Sequence, residues 1–356
     1  MATYDLWQTA YVLGMQASGV QGQQGLPAEL AARLRLHLAG FYERPAVIQA
    51  MDKWSTVWGP AIFEKQPSSQ SYADNAMYVA ANQDRSVYVV CIAGTNGKSK
   101  YDIRNEDFDV QNAVSWQAAF ASSPPEGLSP YLAQGTVDGV KALLDLIDPF
   151  ITRQTLFEFF KSVHSIKAQL IFSGHSLGAA LAPALTLALF NPVVSGLLKR
   201  EDWRSVTVYP TAGPTPGNED LAKFFGKIFP RSPSLPVPDS YKVWNANVWN
   251  SLDVIPHSWE LLMLEKIPTL YPMSAALKKE VSLLIDLAVA RSIQGGRAMG
   301  GPYKQQPNQK LTGHYQGPVL QDMKAFDAEL LRQHIAVYNM MLNVQGVMDV
   351  ASPAAQ

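Results

Sequence analysis

Apolar strand-like runs alternate with helix-forming stretches along this chain, which predicts an α/β fold with a mostly parallel central sheet flanked by helices. Three observations carry that expectation. Leu170, Ile171 and Phe172 form a short continuous apolar run, as a strand buried on both faces does. Residues 179–190 follow as an Ala/Leu-rich stretch of high helix propensity. Between them stands a tight turn, Gly174-His175-Ser176-Leu177-Gly178. The chain of 356 residues fits one α/β domain, 1–356, enlarged by insertions.

Hydrophobic residues make up 47% and charged residues 17%, enough for a large core. Lys+Arg (29) and Asp+Glu (30) nearly cancel, and no basic stripe with interleaved aromatics is present, which argues against nucleic acid as a partner. Cys91 is the only cysteine, so an intrachain disulfide and a multi-cysteine zinc site are excluded. The start, MATYDLWQTAYVLGMQASG, has no Lys or Arg before its apolar part and carries Asp5, unlike a secretory leader. Together these features favour the cytoplasm, with export by another route left open. Pro or charge interrupts the longest apolar runs, so no transmembrane segment is expected.

In chain order, residues 4–20 and 28–40 read as helices and 1–60 as an N-terminal helical region, with the form of 45–60 open. Runs 76–81 and 86–93 read as a hairpin across Asn82-Gln83-Asp84-Arg85. Residues 98–128 are polar, then aromatic and Ala-rich, then broken by Pro124-Pro125, the mixture a lid needs. Helices are expected over 132–147 and 149–165, and strands over 206–209 and 241–248. Residues 259–310 read as an apolar helical insertion broken by Pro268 and Pro272, with 294–313 a mobile loop. Helices near 319–331 and 336–342 precede a flexible tail, 344–356.

Strand, G-x-S-x-G turn and helix form a nucleophile elbow. A side chain two residues before or after the serine would collide with the neighbouring strand and helix, and Gly174 and Gly178 remove it. Ser176 is then presented at the helix N-terminus, where developing negative charge is favoured. Acyl transfer also needs two N–H donors for the oxyanion. The N–H of Leu177 supplies one. The other is expected from Thr95, in the Gly94-Thr95-Asn96-Gly97 loop that ends the 86–93 run.

A serine hydroxyl needs a base, and the base needs an acid to fix its tautomer. In the α/β-hydrolase order the acid and then the histidine follow the serine. That order removes His37 and His164. His175 is expected to point away from the site. Asp253 lies just beyond the expected 241–248 strand, at the carboxyl end of the sheet, whereas Asp239 precedes that strand. His257 is too close to Asp253 in sequence to reach both partners. His314, in a Gly-flanked loop, and His334, followed by Tyr338, stay equally open as the base.

These motifs resemble the class 3 (fungal-type) lipases of the α/β-hydrolase fold over about 78–342. VYVVCIAGT is similar to the family's oxyanion strand, with Ala93 where an arginine is usual. YDIRNEDFDV is similar to the acidic stretch after it, with Ile103 in place of a tryptophan. IFSGHSLGAALAPALTLAL resembles the elbow and helix, VTVYPTAGPTPGN the next strand and its Gly-Asn loop, and NSLDVIPH the Asn-x-x-Asp acid motif. The resemblance implies Ser176 as nucleophile, Asp253 as acid, and Thr95 with Leu177 as oxyanion donors. It selects His334, with its following Tyr338, as base over His314. It implies hydrolysis of carboxylic esters with medium or long acyl chains, most simply triacylglycerols, without metal or organic cofactor. It makes 98–128 the lid candidate and allows the 259–310 insertion to touch a lipid–water interface. A phospholipase or acyltransferase with the same triad, or a binding protein on this scaffold, are the other readings. An intact triad argues against the last.

Overall fold

A computed structural model describes residues 2–99, 109–192 and 197–348. Nine strands are described: β1 (Trp54–Phe63), β2 (Asn75–Asn82), β3 (Val87–Ile92), β4 (Ala113–Ser115), β5 (Tyr131–Ala133), β6 (Gln169–His175), β7 (Ser205–Thr211), β8 (Asn247–Asn250) and β9 (Asn308–Leu311). Seven form the central sheet in the order β1-β2-β3-β6-β7-β8-β9. From β3 to β9 neighbouring strands run parallel, while β1 and β2 add an antiparallel edge. The short pair β4 and β5 stands apart as an antiparallel ribbon. The expected α/β class and the expected hairpin (β2 and β3) are both present.

Helices cover the two faces. On one lie α1 (Leu6–Gln16), α2 (Pro27–Tyr42) and α3 (Pro45–Met51). Asp5 opens α1 with a capping box, its carboxylate accepting from Gln8 N at 2.9 Å. Tyr11, Val12 and Leu13 of α1 are fully buried, each contributing about 1.5–3 kcal/mol by leaving water. The strand β6 fixes this helix, since Ser173 Oγ donates to Ala10 O at 2.8 Å. On the other face lie α5 (Gln134–Asp145), α6 (Leu156–Val163), α7 (Leu177–Phe190) and α8 (Glu219–Ile228), after the short α4 (Trp116–Phe120). Nearly every residue of α7 is buried, as its Ala/Leu composition requires.

The 259–310 insertion forms α9 (Leu261–Leu264), a 3-10 turn over Ile267–Thr269 and the long α10 (Ala275–Met299). With α11 (Met323–Leu331) it builds a separate small core that includes Leu264, Ile267, Tyr271, Val281 and Phe326. After α11 the chain makes one π turn over Arg332–Ala336, then α12 (Val337–Met341) and α13 (Gln345–Met348). Among the described residues, no helix is long and apolar enough to cross a membrane.

Several expectations are corrected. The N-terminal helical region expected over 1–60 ends at Met51, and 45–60, whose form the sequence leaves open, divides into α3 and the start of β1. The strand expected over 241–248 begins only at Asn247, because Asn245 takes a positive φ of 60°. Its side chain replaces the ladder there, accepting from Val208 N at 2.8 Å and donating to Pro230 O at 2.9 Å. The helix expected over 149–165 shortens to α6, after a turn in which buried Asp148 accepts from the N–H groups of residues 150–152. Of residues 294–313, expected as a loop, 294–299 end α10 and 308–311 form the edge strand β9, with 300–307 connecting them. Of the tail, Gln345–Met348 forms α13, Val344 and Val347 are buried, and 349–356 lies outside the described residues. Of the lid candidate, 100–108 lies outside them too. In the remainder Trp116 is fully buried and its Nε1 donates to Ser122 Oγ at 2.6 Å.

Candidate active site

Parallel strands bring the loops after β3, β6, β7 and β8 to one edge of the sheet, where ligands of such folds bind. Ser176 follows β6 directly, with φ 58° and ψ −128°, a conformation L side chains rarely adopt. Two packing constraints enforce it. A Cβ at Gly174 would collide with the Gly178 carbonyl, and one at Gly178 would stand 2.5 Å from Ile92 O. Ser176 N donates to Thr211 O at 3.0 Å, which ties the turn to the end of β7. Leu177 begins α7, so its N–H is one of the unpaired donors of a helix start. Gly94 lies against the same turn, since a Cβ there would be 2.9 Å from His175 O and 3.3 Å from Ser176 Cβ.

Asp253 is fully buried just past β8. Its Oδ1 accepts from Ile255 N at 3.0 Å. Its Oδ2 meets His334 Nδ1 at 2.8 Å and the Tyr338 hydroxyl at 2.9 Å. A carboxylate only accepts, so His334 carries its proton on Nδ1 and leaves Nε2 free as a base. Tyr338 in turn accepts from Asn250 N at 2.9 Å. Burial holds the phenol of Tyr338 well above its ordinary range, with the Asp253 charge second, so it stays a donor.

His334 sits in the π turn, not on a loop, one helical turn before Tyr338. Asn250 fastens that turn to β8, its Nδ2 donating to Gln333 O at 3.1 Å and to Gln333 Oε1 at 2.7 Å. The His334 ring lies 4.7 Å from the ring of His175, the residue before Ser176. The base expected at position 334 is thus brought to the elbow and to Asp253. His314 is exposed in the loop after β9, on the side of Asp239. His257 touches only the backbone of Asp253, through Nδ1 and the carbonyl at 2.7 Å.

Gln21 lies outside every motif of the sequence, and His175 takes a position other than the expected one. Exposed Gln21, from the N-terminal region, donates through Nε2 to Gly94 O at 2.8 Å and Thr95 O at 3.0 Å. In a trans peptide the Gly94 carbonyl and the Thr95 N–H point in opposite directions, so this bond turns the Thr95 N–H away from Gln21. No local pattern marks Gln21, which is 73 residues from Gly94. His175, expected to point away from the site, is buried beneath His334, and its Nε2 lies 2.7 Å from the His334 carbonyl.

Residues 89–262 match the model of the lipase (class 3) family, a span that contains Ser176 and Asp253 and ends before His334. No curated protein matches in sequence. Among solved structures, M37 lipase is 23% identical, with a TM-score of 0.72 and 98% of each chain covered, a likeness of fold. Lipase II from Rhizopus niveus is 16% identical, with a TM-score of 0.43 over 70% of this chain and 72% of that one. The elbow and the acid loop both fall within the span that matches the class 3 lipase family, and the fold is of the α/β-hydrolase type, like that of M37 lipase.

Proposed function

We propose that this protein hydrolyses triacylglycerols and related esters of medium or long acyl chains through a Ser176–His334–Asp253 triad. The observation that carries the reading is the buried Asp253–His334 pair at 2.8 Å, beside the strained Ser176 turn. Ser176 Oγ attacks the ester carbonyl while His334 Nε2 takes its proton. Asp253 stabilises the imidazolium that forms. The N–H groups of Leu177 and Thr95 receive the oxyanion. His334 then returns the proton to the leaving alcohol, and the acyl group stays on Ser176. Water, deprotonated by His334, attacks the acyl-enzyme and releases the acid and the free serine.

The lipid surface is met by the helical insertion. On α10, Leu283, Leu284 and Leu287 are 58%, 50% and 62% exposed, and Leu262 of α9 is 68% exposed. The opposite side of α10 packs inward through Leu277, Val281 and Ser292. A helix with an apolar outer face suits an interface of lipid and water.

A p-nitrophenyl ester series from short to long chains, read for the parent and Ser176→Ala, tests the chemistry. The expected result is a preference for medium or long chains and a loss of several orders of magnitude in Ser176→Ala. An unchanged Ser176→Ala would remove the nucleophile and the mechanism with it. For the surface, Leu283→Ser with Leu287→Ser is expected to slow hydrolysis of an emulsified triacylglycerol while sparing a soluble short ester. Equal rates on the emulsion would refute the lipid contact.

A further inference from the structure

His175 stands immediately before Ser176 in the chain and immediately beneath His334 in the fold. Its Nε2 is 2.7 Å from the His334 carbonyl oxygen, and its Nδ1 is 2.9 Å from Thr211 Oγ1. A carbonyl oxygen only accepts, so Nε2 must carry the proton. Nδ1 then offers a lone pair, which takes the hydroxyl proton of Thr211. Both ring nitrogens are satisfied and the tautomer is determined by its partners. The ring lies 4.7 Å from that of His334, tilted by 39°, and edge-on to Tyr338 at 5.1 Å and Tyr11 at 5.9 Å. Burial pushes this imidazole well below the ordinary histidine range, with the neighbouring His334 second. It therefore remains uncharged beside an imidazolium.

The carbonyl that His175 holds belongs to a π turn, Arg332–Ala336, interposed between α11 and α12. Such turns are rare and occur mostly as single insertions in α-helices, frequently at functional sites. We infer that His175 is a positioning residue, whose Nε2–H fixes the His334 backbone and thereby aims the His334 imidazole at Ser176. The bond joins the elbow to a residue 159 positions away, so nucleophile and base move as one body. The inference rests on the reading of His334 as the base.

Two variants of the full chain separate positioning from packing. His175→Phe keeps a flat ring and removes the donor, while His175→Gln gives up the ring and keeps an N–H at the reach of Nε2. Each is read by kcat and KM on a p-nitrophenyl ester, by the rate at which a fluorophosphonate labels Ser176, and by thermal melting. Positioning predicts a kcat about 10–100-fold lower in His175→Phe, with KM within about two-fold, slowed labelling by the same factor, and recovery to within about three-fold in His175→Gln. Parental kcat in His175→Phe with a loss in His175→Gln would overturn it, because packing alone would then explain the residue. Should His175→Phe not fold, His175→Asn takes its place, since its shorter side chain cannot reach the His334 carbonyl. A loss of kcat at constant KM in His175→Asn that His175→Gln does not show supports the inference, and equal kcat in both refutes it. His334→Ala, measured alongside, keeps the two ideas apart. If it stays active the base reading fails, whereas if it is inactive and His175→Phe is at parental kcat, only the positioning role fails.

Discussion

Asp253 and His334 are 0% and 7% exposed and are held by side chains from β8, α12 and the elbow, whereas the Gly94–Thr95 loop is half-buried and its carbonyls are held by an exposed glutamine. Hydrogen bonds in the buried half act in a low dielectric and leave costly orphans when broken. The Gln21 bonds compete with water and are cheap to lose. Further along the loop the anchoring is buried again, through Asn96 Nδ2 to Ala73 O at 3.0 Å and Ser99 Oγ to Asp74 Oδ1 at 2.5 Å. The proposed base and acid are thus locked, while the proposed oxyanion donor at Thr95 has an adjustable side.

Replacing the acid tests the locked half hardest. Asp253→Asn is expected to lower kcat by about 10³–10⁴-fold with a small change in KM, because His334 loses the acceptor that sets its tautomer. Steady-state ester hydrolysis reads this directly, and a loss below about ten-fold would show that the Asp253–His334 bond is not part of the chemistry. Tyr338→Phe withdraws one donor from Asp253 Oδ2 and strands the buried Asn250 N–H. It is expected to reduce stability by about 1–3 kcal/mol in urea unfolding. A kcat drop of about ten-fold should accompany it if both Oδ2 bonds hold the carboxylate in place.

Gln21→Ala probes the other half. Its stability should stay within about 0.5 kcal/mol of the parent. kcat is expected to fall about two- to five-fold, with KM unchanged, as the Gly94–Thr95 peptide loses its orientation. An effect as large as that of Asp253→Asn would erase the contrast between the halves.

The pH dependence of stability gives a last contrast, whose sign differs between the halves. His175 is held below its ordinary 6.5 by burial first and His334 second. Below that pH the unfolded chain takes up a proton that the folded chain refuses. Stability present above 6.5 is therefore lost on acidification, by up to about 1.4 kcal/mol per pH unit. His175→Gln should flatten that limb. Behind the oxyanion loop, Asp74 and Glu64 are pushed up by burial above their ordinary 3.8 and 4.5. Folded protein binds those protons first, so these carboxyls favour the folded state as pH falls through their raised values. Unfolding free energies of Asp74→Asn and His175→Gln across pH 4–8 would show opposite changes in slope.

The elbow was legible in sequence because its constraint is steric and local: two glycines, one serine, an apolar strand and an Ala/Leu helix suffice. Asp253 was legible for a related reason, since Asn250 and Asp253 work within one turn. Its side-chain neighbours show why Asn250 belongs to that pattern: it binds Gln333 beside the base. His334 was not readable from its own surroundings, because what selects it over His314 is a contact across 81 residues. The polar strand β9, Asn308–Leu311, escaped notice because it is a sheet edge whose burial alternates along NQKL. The misplaced start of β8 has the opposite cause. Tyr241, Val243 and Trp244 have strand-like composition, but Asn245 breaks the ladder with its own side chain. Gln21 and His175 act through distant carbonyls, which no residue pattern encodes.

The pairing of Ser176 with His334 is tested most directly by the rate at which a fluorophosphonate labels Ser176 in His334→Ala and in His314→Ala. Labelling requires a base at the serine but not turnover of a substrate. His334→Ala is expected to slow it by at least about 10³-fold, with His314→Ala at the parental rate. Parental labelling in His334→Ala, or its loss in His314→Ala, would contradict the triad built here.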